Sequence, residues 1–533
     1  MKKSAPKLLA LALALIMTAA SFTGCGGNSG SSGSTADGGS STAENSAATE
    51  GTGERTEPVT ISAMLFDRGN VPEGQGTITD NMWTKWINEQ MAEKNITVEF
   101  VPVPRSEEVT KVNTMMASGT AADIMMSYYP DQIQQYYEDG GLYDVAPYID
   151  GAPQLKEYLG ESVLNASKLP SGEMFGVFAR RSTTGNINCF IRTDWLEALD
   201  MEVPTTVDEL YEVLTAFKQQ DPGGVGSEKV VAMVAGNALK FAFLSETLDQ
   251  ESYNINSPYL EYADEGYREY MRFRNKCYNE GLMDPEYFTS KNFSQKEKEL
   301  CVSGQLGYWE YDVNGNVDNL RGGLLQNLKQ NIPTADFVAI DPMKNVNNGE
   351  IYTPNYSETG AVVFLPKTAK DPEACFEYLD FLAGEGGFTV FHGFEGEHFE
   401  FVDDVPVVID AEKNATEKDW IRHDLFLVGN QGYYKTEEDF MAATSKELPG
   451  YEEYVIDNYT KAGIGIRMHA PIYTSPTQVE QTTNLTKVKE KYEVEVTTCS
   501  PDQFDAIYDQ WMAEMEKYDV QKILDERAEY YAQ

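Results

Sequence analysis

The 533-residue chain predicts an α/β protein folded as two lobes behind an export leader, and three observations carry that prediction. Strand and helix signals alternate from residue 58 onward, the grammar of parallel strands joined by right-handed helical crossovers. The length exceeds the roughly 100–200 residues that one core organises, so two or three domains or lobes are expected. Hydrophobic residues make up 41% of the chain, enough to fill such cores.

The leader comes first. Lys2, Lys3 and Lys7 precede an apolar run at residues 8–20. Thirteen helical residues rise only about 20 Å, short of a ~30 Å hydrocarbon layer, so the run is an export signal rather than a membrane span. Phe22-Thr23-Gly24-Cys25 follows, and small residues directly before a cysteine resemble the bacterial lipobox. Residues 1–24 are therefore expected to be a lipoprotein signal peptide, with Cys25 lipidated as the first mature residue. Residues 26–56 are almost wholly Gly, Ser, Thr, Ala and Asn. A segment of that composition buries too little surface to offset its ordering entropy, so 25–56 reads as a flexible tether.

Residues 59–65 are the first predicted strand, and Asp80 is the expected cap of a helix whose Trp83, Trp86, Ile87 and Met91 share one face. A strand at 96–101 ends at Pro102 and Pro104, and Ser106 opens a helix bearing Val109, Val112, Met115 and Met116 that stops at Gly119. A strand at 122–127 and a helix from 131 to about 139 complete the first alternation. Thr206 and Glu209 form a capping box ahead of a stripe at Val207, Leu210, Tyr211, Leu214 and Phe217. Asp371-Pro372 opens another helix that buries Phe376, Leu379 and Leu382. A strand-like return at 360–365 precedes it, so the chain is expected to cross between lobes more than once.

Charge narrows the function. Lys+Arg number 42 against 85 Asp+Glu, a net charge of −43. Such an excess repels nucleic-acid phosphates and anionic headgroups, leaving the lipid as the only expected membrane contact. The six cysteines have no C-x-x-C spacing, and neither a disulfide scaffold nor a zinc ribbon is expected. There is no G-x-S-x-G, P-loop or H-E-x-x-H, and the four histidines include no helical i, i+4 pair. No catalysis, metal or cofactor is expected. A secreted glycosidase needs only two carboxylates and stays as the enzyme alternative.

Met115-Met116-Ala117-Ser118-Gly119-Thr120-Ala121-Ala122-Asp123-Ile124 and Ile191-Arg192-Thr193-Asp194-Trp195-Leu196, continuing to Pro204-Thr205-Thr206, resemble segments of the extracellular solute-binding proteins (family 1) of bacterial ABC sugar importers, in particular the LipO/LplA-like lipoproteins. Residues 304–309, 367–382 and 393–398 extend the resemblance along the whole chain. It implies a periplasmic-binding-protein-like type II fold, α/β in two lobes with the ligand cleft between them. The expected N-terminal lobe is 58–180 plus about 345–410, and the C-terminal lobe about 181–344 plus 411–533. The implied function is a monomeric, membrane-anchored receptor on the outer face of the cytoplasmic membrane. It would hand an oligosaccharide to an ABC permease driven by a cytoplasmic ATPase; a peptide or other solute is the alternative ligand. Where relatives often carry a calcium-loop-like run, Asp221-Pro222-Gly223-Gly224-Val225-Gly226 has no side-chain oxygen at Gly223 or Val225, so no calcium is expected there.

Open parallel sheets bind ligands beyond the carboxyl ends of their strands. This selects Asp67 and Arg68 after the first strand and Tyr128-Tyr129 after the third, with Phe66, Arg105 and Glu107 beside them. A sugar needs flat aromatics for its C–H face and charged or amide groups for its hydroxyls, and these residues are that mixture. Trp309-Glu310-Tyr311-Asp312 is the expected platform of the second lobe. Arg180 and Arg181, adjacent in a strand, must point to opposite faces. If one enters the cleft its fork could hold a carboxylate, which would make the ligand a uronate-containing oligosaccharide. Glu395 and His398, in a glycine-rich loop, complete the candidates.

Overall fold

The computed structural model describes residues 55–533 except 170, 235, 237, 246–247, 288–292, 319–321, 435, 472 and 533. The signal segment, Cys25 and the tether as far as residue 54 lie outside the described residues. In chain order the strands are β1 (Val59–Asp67), β2 (Ile96–Pro104), β3 (Met125–Ser127), β4 (Val177–Arg181) and β5 (Ile187–Arg192). They continue with β6 (Val231–Val234), β7 (Leu306–Asp312), β8 (Phe337–Ile340), β9 (Tyr352–Asn355) and β10 (Thr359–Phe364). A hairpin of β11 (Phe399–Val402) and β12 (Val405–Val408), then β13 (Gly429–Asn430) and β14 (Ile466–His469), complete the set.

In the first lobe β1 runs parallel to β2, and Met64 N–H donates to the Ile124 carbonyl at 2.8 Å, joining β1 to the start of β3. β10 then lies antiparallel to both β3 and β4, and β13 parallel to β4. The sheet is therefore mixed rather than parallel. Its returning strand comes from the second half of the chain, as the strand-like 360–365 segment required. The helix Met82–Ala92 buries Trp83, Ile87 and Met91, but its cap is Asn81 rather than Asp80. Asn81 Oδ1 accepts from the Trp83 and Thr84 amides, and Thr84 Oγ1 accepts from the Asn81 amide at 3.0 Å.

The second lobe is a four-stranded sheet in the order β6-β7-β5-β8. Both faces are covered. Cys189, Ile191, Met233 and Tyr308 enter one buried cluster, while Phe190, Val234, Trp309 and Phe337 enter the other, the period-2 alternation of a strand buried on both sides. The predicted capping box at Thr206 and Glu209 forms, as does the Asp371 cap.

Two expected boundaries move. The return to the first lobe comes after Tyr352, which still belongs to the second lobe's buried cluster, rather than at about 345. The first lobe's buried cluster includes Trp420, Ile421, Leu425, Phe426, Phe440 and Ala443, so the chain leaves this lobe some 35 residues after 410. The 411–443 segment fills the first lobe because its aromatics, Phe426 among them, pack against Tyr158 and Phe391 from neighbouring helices. The crossings between lobes run through residues 182–186, 356–358 and 447–451. Glu437 ties the first of these, accepting from the Thr184 amide at 2.8 Å and from Thr183 Oγ1 at 3.1 Å, and it also pairs with Arg467 beyond the crossing. Among the described residues no helix is long and apolar enough to cross a membrane, and no group of His, Cys, Asp and Glu is arranged to hold a metal.

Candidate functional site

The carboxyl ends of β1 and β3, the start of β10 and the ends of β4 and β13 converge on one edge of the first lobe. Register places them there: Thr359 pairs with Arg180, and Gly429 and Asn430 pair with Arg180 and Arg181. At this edge the Arg105 guanidinium lies over the Phe66 and Tyr128 rings, 5.0 and 4.6 Å from their centroids, and those rings stack at 6.2 Å. Glu108 holds the arrangement from beneath. It pairs with Arg105 at 2.6 Å and accepts from the Tyr128 amide at 2.7 Å and from Ser127 Oγ at 2.9 Å. Asn430 Nδ2 donates to the Tyr128 hydroxyl at 3.2 Å. Tyr128 is thus fixed in position and half-buried, and burial raises its hydroxyl pKa above the usual value. Tyr129 beside it is 48% exposed and presents a free aromatic face.

Three arginines line this wall in different electrical states. Arg68 grips Asp424 with Nε at 2.6 Å and Nη2 at 2.8 Å, and that hydrogen-bonded carboxylate raises its pKa. Arg105 is paired with Glu108. Among the described residues Arg181 donates only to neutral acceptors, the Thr359 carbonyl and Asn430 Oδ1, each at 3.0 Å, and it lies 4.3 Å over the Tyr356 ring. Burial lowers its pKa. Asp67 closes a local turn by accepting from the Gly69 amide at 2.8 Å.

Arg180 points to the opposite face, as strand alternation requires. Its Nη1 donates to the Tyr158 carbonyl at 3.1 Å, in a hollow lined by Glu157, Glu385 and Tyr433. Glu395 and His398 also lie elsewhere. His398 is fully buried, accepts from the Phe394 amide on Nδ1 at 3.0 Å and meets Glu417 through Nε2 at 3.1 Å, while Glu395 stands exposed on the surface turn. The loop packs on Trp83, whose ring stacks on Phe394 at 5.4 Å. Glycine density there serves that packing: Gly393 has φ +86°, and a Cβ on it would strike the His398 ring.

The second lobe corrects the expected platform. Trp309 is 1% exposed, stacked on Tyr311 at 4.1 Å and on Phe337 at 6.4 Å. β7 continues three residues past it, so Trp309 lies within a doubly covered strand rather than at its mouth. Glu310, on the other face, accepts from the Ala238 and Leu239 amides at 2.6 and 3.0 Å, and burial pushes its carboxyl up to about 7. It secures the turn after β6. Tyr311 and Asp312, half-buried, are the members of the tetrad that reach the strand end.

Glu108, Asp424, Asn430, Thr359 and Tyr356 were not among the sequence candidates. Glu108 was one residue from the selected Glu107, and the chain enters Glu108–Ser118 through a short 3₁₀ turn that a simple helix count misses. Asp424 and Asn430 sit in the segment expected in the other lobe, so sequence order hid them.

Comparisons with known proteins agree with this architecture. A family model described as bacterial extracellular solute-binding protein matches residues 75–387, more than half of the chain. Lipoprotein LipO of Bacillus subtilis is 25% identical over 387 residues, covering 70% of this chain and 71% of that one. The polygalacturonan/rhamnogalacturonan-binding protein YtcQ of the same organism is 23% identical over 386 residues, covering 68% and 73%. Among solved structures, the alginate-binding protein AlgQ2 without calcium ion superposes with TM-score 0.60 at 18% identity, covering 91% of this chain and all of that one. That last likeness is one of fold.

Proposed function

The chain belongs to the bacterial extracellular solute-binding protein family, and we propose that it captures an oligosaccharide between its lobes and delivers it to an ABC permease. The first lobe's edge carries this reading. Tyr128 and Tyr129 offer ring faces for sugar C–H groups, while Asp67, Arg68, Arg181 and Asn430 offer donors and acceptors at fixed angles for hydroxyls. Tyr311 and Asp312 are the second lobe's contribution, brought to the ligand by hinge closure. No bond is broken, and the receptor acts as a monomer with its permease and ATPase. Lipidation of Cys25 at the outer face of the cytoplasmic membrane belongs to the same reading, supported by the leader's composition and by a relative named as a lipoprotein. A uronate-bearing ligand is favoured by the arginine-rich wall and by the polygalacturonan/rhamnogalacturonan-binding name of YtcQ.

A thermal-shift screen of the purified protein against plant and host oligosaccharides tests the reading. A ligand at 100 times its Kd that binds only the native state adds about 2.7 kcal/mol. A panel without one stabilising sugar, or new reducing ends that scale with protein after a day's incubation, would refute it.

A further inference from the structure

Arg181 stands apart from the other cations of the binding wall. The chain carries about two acids for every base, yet no carboxylate of the described residues lies within ion-pairing distance of this guanidinium. Its neighbours Arg68 and Arg105 are both neutralised, by Asp424 and Glu108. A guanidinium has five N–H donors. The Thr359 carbonyl takes the one on Nε and Asn430 Oδ1 takes one on Nη1, so Nη2 and the second Nη1 hydrogen have no acceptor among the described residues. The Tyr356 ring at 4.3 Å and the strand pairing of Arg181 with Asn430 fix the plane of the fork. A guanidinium partly withdrawn from bulk water without a counter-charge is destabilised, and a ligand carboxylate docking on the free side would relieve that cost.

We infer that Arg181 is the specificity-determining residue for an acidic ligand, holding one carboxylate of the bound oligosaccharide on its free N–H pair; this rests on the oligosaccharide-receptor reading. Arg180 takes no part, because it faces the opposite side of the sheet beside the Tyr158 carbonyl. The two paired arginines serve hydroxyls and position Tyr128, so the wall reads a single carboxylate at a set place along the chain of sugars.

Calorimetric titration with galacturonate oligomers of two to six residues, their methyl esters, and neutral gluco- and fructo-oligosaccharides tests this. The free acid is expected to bind at least tenfold tighter than its ester. Arg181→Gln should lose about thirtyfold or more for the acid, as truncation of a buried charge partner does, with under threefold change for the ester. Arg181→Lys keeps the charge without the fork and should recover only part of the acid's affinity; it also serves if the glutamine variant does not fold. Arg180→Gln should match the wild type. Equal binding of acid and ester, equal losses for both in Arg181→Gln, or binding of neutral sugars alone with Arg181→Gln unaffected would overturn the inference while leaving the receptor. Binding of no member of the panel would overturn the receptor reading and the inference with it.

Discussion

Two strand ends carry the same kind of sequence, aromatic residues followed by acids or more aromatics, and the fold uses them in opposite ways. β3 ends at Ser127, so Tyr128 and Tyr129 fall immediately beyond it, on the edge where other strands also end. β7 runs on to Asp312, so Trp309 is spent on packing against Tyr311 and Phe337 in a buried cluster that also holds Phe190. What separates them is three residues of strand. An aromatic one step past a strand is available to a ligand, and the same residue inside a doubly covered strand is core.

The sharpest way to break this contrast is Trp309→Ala. Removing a fully buried indole should cost about 3–5 kcal/mol of stability, read as a large fall in Tm, while affinity in the folded fraction stays within a few-fold. A large loss of affinity with little change in Tm would restore Trp309 to the cleft. Tyr128→Ala should behave in the reverse sense. Its loss from the wall should weaken oligosaccharide binding on the order of 2 kcal/mol, roughly thirtyfold, with a smaller fall in the ligand-free Tm than Trp309→Ala gives. Equal affinities of Tyr128→Ala and the wild type would move the site away from the first lobe.

The lobes should also titrate in opposite senses. His392 in the first lobe is buried against the Tyr433 carbonyl, and burial pushes its pKa down to about 3, below its usual 6.5. The folded state keeps it neutral while the unfolded chain protonates, so its contribution is present above pH 6.5 and lost as pH falls toward 3. Glu310 in the second lobe has its pKa raised to about 7 from the usual 4.5, so it binds more protons folded than unfolded. Its contribution is full below 4.5 and is lost as pH rises through 7. Denaturation across pH 4–8 should therefore show Glu310→Gln flattening the neutral side of the profile and His392→Phe flattening the acid side. Unchanged slopes in both variants would contradict these assignments.

The smallest expected effect concerns the loop after the helix Val207–Gln220. Asp221 accepts from the Val225 amide at 3.0 Å and the Gly226 amide at 2.8 Å, so its carboxylate already closes the turn. Excess chelator should leave Tm unchanged, and a fall of several degrees that calcium reverses would put an ion in this loop.

Much of the fold was legible because local signals act alone: Thr206 and Glu209 cap their helix wherever the lobe sits, and Gly119 stops its helix with φ +67°. Half of the candidate wall was legible for the same reason, since Arg68 and Tyr128 follow their own strands. The rest was not, because the partners that lock those residues come from distant sequence. Asp424 reaches Arg68 across 356 positions and Asn430 reaches Tyr128 across 302, through a segment whose lobe no local pattern specifies. Arg180 and Arg181 illustrate the limit well. Alternation dictates that they diverge, but only β10 and β13, arriving later in the chain, decide which of them faces the wall.

Closure itself is the central claim, and solution X-ray scattering with and without a saturating oligosaccharide from the thermal-shift screen tests it most directly. If the crossings at 182–186, 356–358 and 447–451 act as a hinge that brings Tyr311 and Asp312 onto a sugar held by Tyr128 and Arg181, the radius of gyration must fall on binding. An identical scattering profile at saturation, with binding confirmed in the same sample, would contradict it.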